Sequence, residues 1–184
     1  MTRLSKPERH AQLLAVGRGV FAARPYDAVS IDELAAAAGV SKGLLYHYFP
    51  DKRTFYAQIL RQSALDVLAC TELDPEGPPG PALHAALLRF IAYVADNGPF
   101  YRALVRGLGP DTDTELVEHV RRTIVDRAVH RLGLPDHPSL RSTVYGWVGF
   151  TEFVVLDWLA ERPCSPEVLA ERAENALFAL LETR

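Results

Sequence analysis

The sequence predicts an all-α protein, and three observations carry that expectation. Apolar residues recur at spacings of three and four along most of the 184 residues, alternating strand patterns persist nowhere, and helix-starting and helix-stopping residues punctuate the periodic runs. At 48% hydrophobic and 23% charged, with a net charge of -3, the chain lies well away from compositions that stay unfolded. Its length suits one domain with a substantial core, or a small module joined to a larger one.

The first helix is expected from about Pro7, a favoured first-turn residue, to Ala23, with Leu13, Leu14, Gly17, Val20 and Phe21 as its apolar stripe. After the turn PYDA comes SIDELAAAAG. Here Ser30 and Glu33 fit a capping box, and Gly39 suits the left-handed residue that ends a helix. Ser41 is placed to cap a third, short helix that Pro50 ends. Asp51 can cap a fourth, running from Lys52 to about Glu72 with Phe55, Ile59 and Val67 inward. Three helices and the start of a fourth fit within residues 1–56, leaving residues 57–184 as a second domain.

The short third helix, within VSKGLLYHYFPDK, is too brief to be stable alone, since isolated helices shorter than roughly 12 to 15 residues are marginal in water. Leu45 and Phe49, four apart, share a face that can pack on Leu34, Ala35 and Phe21. Lys42, Gly43, Leu44, Tyr46 and His47 then face outward. A helix anchored on one side, joined to its predecessor by a glycine-containing turn and presenting donors and rings outside, reads as the second helix of a helix-turn-helix. In a major groove Lys42 can donate to guanine, Leu44 can touch a thymine methyl, and Gly43 admits close backbone approach. Ser30, Ser41, Tyr48 and Lys52 are candidates for gripping phosphates of double-stranded DNA. Charge agrees: residues 1–56 hold eight Lys or Arg against five acids, the remainder twelve against eighteen.

The run SIDELAAAAGVSKGLLYHYFPDKRTFYAQIL, residues 30–60, closely resembles the N-terminal DNA-binding domain of the tetracycline-repressor (TetR) family of bacterial regulators. The resemblance rests on the capped second helix, AGVSKG at the turn, LLYHYF on the reading helix and an acid-Lys pair opening the fourth. It implies about nine helices, a homodimer on an inverted-repeat operator, and a C-terminal domain that binds a small-molecule effector and thereby weakens DNA binding. It assigns base-facing roles to Lys42, Gly43, Leu44, Tyr46 and His47, and phosphate roles to Ser30, Ser41, Tyr48 and Lys52. Asp32 departs from this pattern, as an acid suited to capping rather than to DNA contact.

In the second domain, residues 73–81 (LDPEGPPGP) are expected to be a loop. ALHAALLRFIAYVADNG and FYRALVRGLG read as two helices, and TDTELVEHVRRTIVDRAVHRLG as a third opened by a Thr112 to Glu115 capping box. STVYGWVGFTEFVVLDWLAERP is apolar nearly all round, too much for one chain to cover. It is not a membrane span, because Glu152 and Asp157 interrupt it and each mid-segment acid costs roughly 2.5 to 3.5 kcal/mol in lipid. The last helix carries Leu169, Ala173, Ala176, Leu177 and Leu180 at near-heptad spacing. With Val148 and Val155 these residues are the expected dimer interface, half of a two-chain four-helix bundle.

For the effector, Phe90, Tyr93, Phe100, Tyr101, Trp147 and Phe150, with Thr151 and Glu152 as polar groups, are candidates to line an apolar pocket; each is equally at home in a core. No metal or cofactor is expected: the histidines form no ligand set, and no nucleophile elbow, P-loop or dinucleotide fingerprint occurs. The cysteines Cys70 and Cys164 lie far apart with no CxxC pair, and the N-terminus lacks an apolar export segment, so a cytoplasmic protein is expected. Two functions stand. One is a dimeric, ligand-responsive repressor. The other is a helical small-molecule-binding protein or enzyme with a vestigial helix-turn-helix, against which the outward donors Lys42, Tyr46 and Lys52 argue.

Overall fold

The computed structural model describes residues 4–105 and 114–182. They form eight α-helices and one short 3-10 turn: α1 (Lys6–Ala23), the turn at Tyr26–Ala28, α2 (Ile31–Ala37), α3 (Lys42–Tyr48), α4 (Lys52–Cys70), α5 (Pro79–Val105), α6 (Thr114–Arg131), α7 (Pro138–Glu161) and α8 (Pro166–Glu182). The fold is all-helical among the described residues, with a helix count close to the nine expected.

Local chemistry sets the boundaries. Ser30 Oγ accepts from the Glu33 amide at 3.2 Å while Glu33 Oε2 accepts from the Ser30 amide at 2.8 Å, closing the capping box of α2. Gly39 follows α2 at φ +65, a backbone that a side chain would strain. Ser41 caps α3 through the Leu44 amide at 3.2 Å, and Asp51 Oδ1 accepts from the Thr54 amide at 2.6 Å at the head of α4. A further capping box, Ser5 with Glu8, opens α1.

Two expectations about the second half are corrected. The proline-rich stretch was read as loop through residue 81, yet α5 starts at Pro79, where proline's missing amide is one that no helix start needs. The two helices expected on either side of Gly98 and Pro99 are one, since α5 continues through Pro99. An interior proline costs about 3 kcal/mol, while burying each of Phe100, Tyr101 and Leu104 returns an estimated 1.5 to 3 kcal/mol. The expected Thr112 cap lies outside the described residues.

Two compact units result. The first holds the described residues of Met1–Ser63 and Pro99–Thr114, the second those of Ala64–Gly98 and Glu115–Arg184. The division thus falls within α4, further along than the expected 56/57 boundary.

In the first unit Leu13, Leu34, Leu45, Phe49, Phe55 and Ile59 are buried together, with the Phe49 and Phe55 rings 4.4 Å apart. Gly17 allows α1 to lie close to α4, because a Cβ there would come within 2.5 Å of the Phe55 ring. In the second unit α7 and α8 pack face to face, and the Trp147 indole donates to the Ala173 carbonyl at 2.7 Å. Arg127 and Arg131 of α6 and Arg89 of α5 donate to backbone carbonyls between Leu68 and Gly77, satisfying the end of α4 and the loop after it.

Candidate nucleic-acid interface

Burial on α3 splits by side. Leu45 and the adjoining Phe49 are 0% exposed, whereas Lys42, Gly43, Leu44, Tyr46 and His47 all face solvent, Tyr46 at 43%. The core therefore fixes the rotation of this two-turn helix, and the residues left outside are the five expected to face bases. Nothing lies within 4 Å of the place where a Gly43 Cβ would be, so the space over that glycine is open to a bound molecule. Tyr48 is half-buried, its ring tilted 6.2 Å from His10 and edge-on to His47 at 5.5 Å.

The flanking residues divide. Ser41 Oγ accepts from the Leu44 amide, which leaves its hydroxyl hydrogen as a donor. Ser30 differs, because its hydroxyl donates to Glu33 Oε2 at 2.9 Å and its oxygen accepts from the Glu33 amide. A hydroxyl has one hydrogen, so in this structure the Ser30 hydroxyl is taken up by the cap. Lys52 is partly engaged. Its ammonium donates to the Tyr26 and Val29 carbonyls at 3.0 and 2.9 Å and sits 4.1 Å from the centre of the Tyr26 ring. It ties α4 to the segment before α2 through two of the ammonium's three donors.

Electrostatics on this face is shaped by two acids. Asp32 Oδ2 accepts from Lys42 Nζ at 2.9 Å, and this raises the Lys42 ammonium above its ordinary range. The pair escaped the sequence reading because it spans ten residues and two helices. Glu33 is held down to about 2, first by donation from the Arg24 guanidinium at 2.6 Å and then by the Ser30 amide and hydroxyl.

The expected sensing residues are not all brought together. Phe100 and Tyr101 are buried in the first unit, with Phe100 6.3 Å from Tyr56. Phe90, Trp147, Thr151 and Glu152 are buried in the second, and Tyr93 is half-buried there. Trp147 is held by its bond to α8. Phe150 is 46% exposed on α7. Sequence reasoning missed Arg121 of α6, which donates to Glu152 Oε2 through Nε and Nη2 at 2.9 and 2.7 Å. Beside this pair the Thr151 hydroxyl is buried with no hydrogen-bond partner among the described residues. No group of three or more His, Cys, Asp or Glu among the described residues is arranged to hold a metal.

The residues expected at a dimer interface are mostly packed within the chain. Val148, Val155, Leu169, Ala173 and Leu177 are buried within the single chain, where α7 and α8 cover one another. Of the set only Ala176, half-buried, and Leu180, exposed, remain reachable. The apolar side chains left exposed on these helices are Phe150 and Phe153 of α7, flanked by Gly146 and Gly149, and Val168, Phe178 and Leu180 of α8.

These features find their counterparts in known proteins. Residues 13–59 match the family model described as bacterial regulatory proteins, tetR family, and residues 79–180 match the tetracyclin repressor-like C-terminal domain. A tetR-family transcriptional regulator from Streptomyces coelicolor superposes with a TM-score of 0.84 at 32% identity, covering 97% of this chain and 82% of that one. A TetR-like regulator from Rhodococcus sp. RHA1 gives a TM-score of 0.79 at 24% identity, over 99% and 100% of the two chains, a likeness of fold. The transcriptional activator FasR of Mycolicibacterium smegmatis is 32% identical over 104 residues, 55% of this chain and 48% of that protein. The repressor KstR2 of Rhodococcus jostii is 38% identical over 56 residues, 30% of this chain and 28% of its own. The chain spans about half the length of the curated relatives it first matches. These relatives regulate transcription and are not enzymes. With an anchored reading helix in a first unit matched by one family model and a helical body matched by another, the chain belongs to the TetR family of bacterial transcriptional regulators.

Proposed function

We propose that this protein is a homodimeric, ligand-responsive repressor that reads an inverted-repeat operator through α3. The observation that carries this reading is the division of α3 into a fully buried side at Leu45 and Phe49 and an outward side of Lys42, Gly43, Leu44, Tyr46 and His47. Buried anchors give the helix a fixed rotation, and outward donors and an apolar group give it something to say to base edges. A vestigial helix-turn-helix needs neither. Ser41 and Tyr48 flank the reading face as phosphate partners. Repression is the simpler sign, since occluding a promoter requires DNA binding alone, whereas activation requires a second surface for the transcription machinery. The site of action is the cytoplasm, where bacterial DNA lies, and no described helix is long and apolar enough to cross a membrane.

Dimerisation is assigned to the exposed apolar side of α7. Phe150 and Phe153 project from α7 beside Gly146 and Gly149, two glycines that no neighbour in the chain requires. Glycine in a helix interior costs about 1 kcal/mol relative to alanine, and close approach of a partner helix offsets that cost. For sensing, a small, largely apolar effector with one acceptor would satisfy the Thr151 hydroxyl, whose buried isolation costs about 1 to 3 kcal/mol.

Selection of binding sites from random duplexes tests the reading. The expected result is a palindromic site bound by two copies, with affinity falling steeply as salt rises, and with Tyr46→Ala losing operator preference while keeping nonspecific binding. Recovery of asymmetric sites alone, or Tyr46→Ala with unchanged preference, refutes it. A reporter fused to the operator fixes the sign, and a rise in transcription on adding the protein would overturn repression.

A further inference from the structure

A surface groove of about 650 Å³ runs between the start of α1 and the outer end of α3, lined by Leu4, Ser5, Lys6 and Arg9 on one side and Leu44, His47 and Tyr48 on the other. Only the second wall belongs to α3. The first wall is cationic: Lys6 is exposed, and Arg9 is half-buried with Nη1 donating to Gln12 Oε1 at 2.7 Å, which orients the guanidinium and leaves its other donors available. No carboxylate lines the groove. The one acid of this turn, Glu8, is folded back onto the Ser5 amide and hydroxyl at 2.7 Å in the capping box. The volume falls in the range of ligand sites, roughly 300 to 1,000 Å³, more than a lone ion needs.

We infer that this groove holds the sugar-phosphate backbone of the DNA strand flanking the major groove that α3 enters, with Lys6 and Arg9 of α1 as a second pair of phosphate contacts. The inference rests on the DNA-reading role of α3. Continuity favours a polymer over a free anion, because Leu44 and His47 belong both to the groove wall and to the reading face. An occupant of the groove is thus covalently continuous with bases that α3 contacts only if it is DNA. Two apolar side chains, Leu4 and Leu44, face a deoxyribose better than a hydrated ion, and Arg9 with Tyr48 supplies donors to nonbridging oxygens. Such contacts set register and affinity without reading sequence.

The test uses the full chain and its selected operator, with Arg9→Gln and Lys6→Gln compared with wild type and with Arg9→Lys. Each neutral variant removes one contact per protomer, two per dimer, so the slope of log affinity against log salt should flatten by about 1.8, with operator preference unchanged. Arg9→Lys should keep the slope. A neutral methylphosphonate walked along the flanking strand should weaken wild-type binding at one phosphate in each half-site and leave Arg9→Gln indifferent there. Flattened slopes with a lost methylphosphonate effect support the inference. If wild type binds in a salt-dependent way but Arg9→Gln and Lys6→Gln keep its slope and its methylphosphonate profile, the groove assignment falls and the reading of α3 stands. If wild type binds no duplex, both fall. Inorganic phosphate followed by phosphorus NMR separates the sources: binding of phosphate to the free protein that persists undisturbed when operator is added would make the groove a small-anion site and overturn the assignment.

Discussion

Replacing Phe153 by Glu should split the dimer and leave the protomer folded. Phe153 is 57% exposed in the single chain, the most of any aromatic on α7. A Phe buries roughly 200 Å² when fully covered, so about 110 Å² of it awaits a partner, worth about 3 kcal/mol at 25 cal/mol per Å². Two-fold symmetry doubles this to about 6 kcal/mol per dimer, an upper figure since ordering the interface takes part of it. A carboxylate facing the partner adds desolvation in the same direction. The dimer dissociation constant should therefore rise about 10³-fold or more, and most operator affinity should go with it, because the second half-site then binds as a separate event. Leu177→Glu is the informative contrast. At 0% exposure Leu177 lies inside the packing of α7 against α8, and an unpaired carboxylate there removes much of a total stability of about 5 to 15 kcal/mol. Sedimentation velocity at micromolar concentration, beside circular dichroism, should show a helical monomer for Phe153→Glu and lost helix for Leu177→Glu. A helical Phe153→Glu that still sediments as a dimer refutes the assignment, as does a folded, monomeric Leu177→Glu.

Three other outcomes follow from the first unit. Lys52→Met removes two charge-assisted bonds to the Tyr26 and Val29 carbonyls and should lower stability by about 2 kcal/mol in urea titration while leaving the salt slope of DNA binding unchanged; a flattened slope at unchanged stability would return Lys52 to phosphate duty. Asp32→Asn frees Lys42 from its carboxylate, so nonspecific binding should tighten and its salt slope steepen by about 0.9 per protomer, and Lys42→Gln should cost more slope in that background than in wild type; equal effects would show that the ion pair is idle on DNA. Glu33 has a folded value of about 2 against an ordinary 4.5, so its contribution to the α2 cap is complete above about pH 4.5 and is lost as pH falls towards 2; hydrogen exchange at the Ser30 amide should quicken over that window, and Glu33→Gln should remove the pH dependence.

Much of the first unit is legible in the sequence because its determinants are local. The Ser30 to Glu33 box, the Ser41 and Asp51 caps and Gly39 each act within three or four residues of the backbone they satisfy, so a linear reading finds them. The orientation of α3 follows from similar logic, since Leu45 and Phe49, four apart, can face a core together while Tyr46 and His47 stay outside. What the sequence conceals are choices between chemically equivalent partners. Lys52 and Lys42 are both cations near a DNA-reading helix, yet one finds carbonyls 23 and 26 residues back and the other a carboxylate ten residues back. Pro99 obeys a local rule that tertiary burial of Phe100, Tyr101 and Leu104 overrules.

The helix α7 shows the same ambiguity at larger scale. It is apolar on two faces, and periodicity treats both alike. Trp147, Val148 and Val155 are buried, with Trp147 bonded to α8 of the same chain, and Phe150 and Phe153, on roughly the opposite side of the helix, stay exposed. Which of the two sides enters the core of the chain and which stays exposed is a decision that no propensity or spacing encodes. Only the position of α8 does, fixed in part by the Trp147 bond to the Ala173 carbonyl. The unpartnered Thr151 hydroxyl lies on this helix too, as does Glu152, which accepts from Arg121 of α6. An effector that reached Thr151 would thus press on the helix that carries the exposed phenylalanines, which is the physical route by which ligand could bear on how two copies meet.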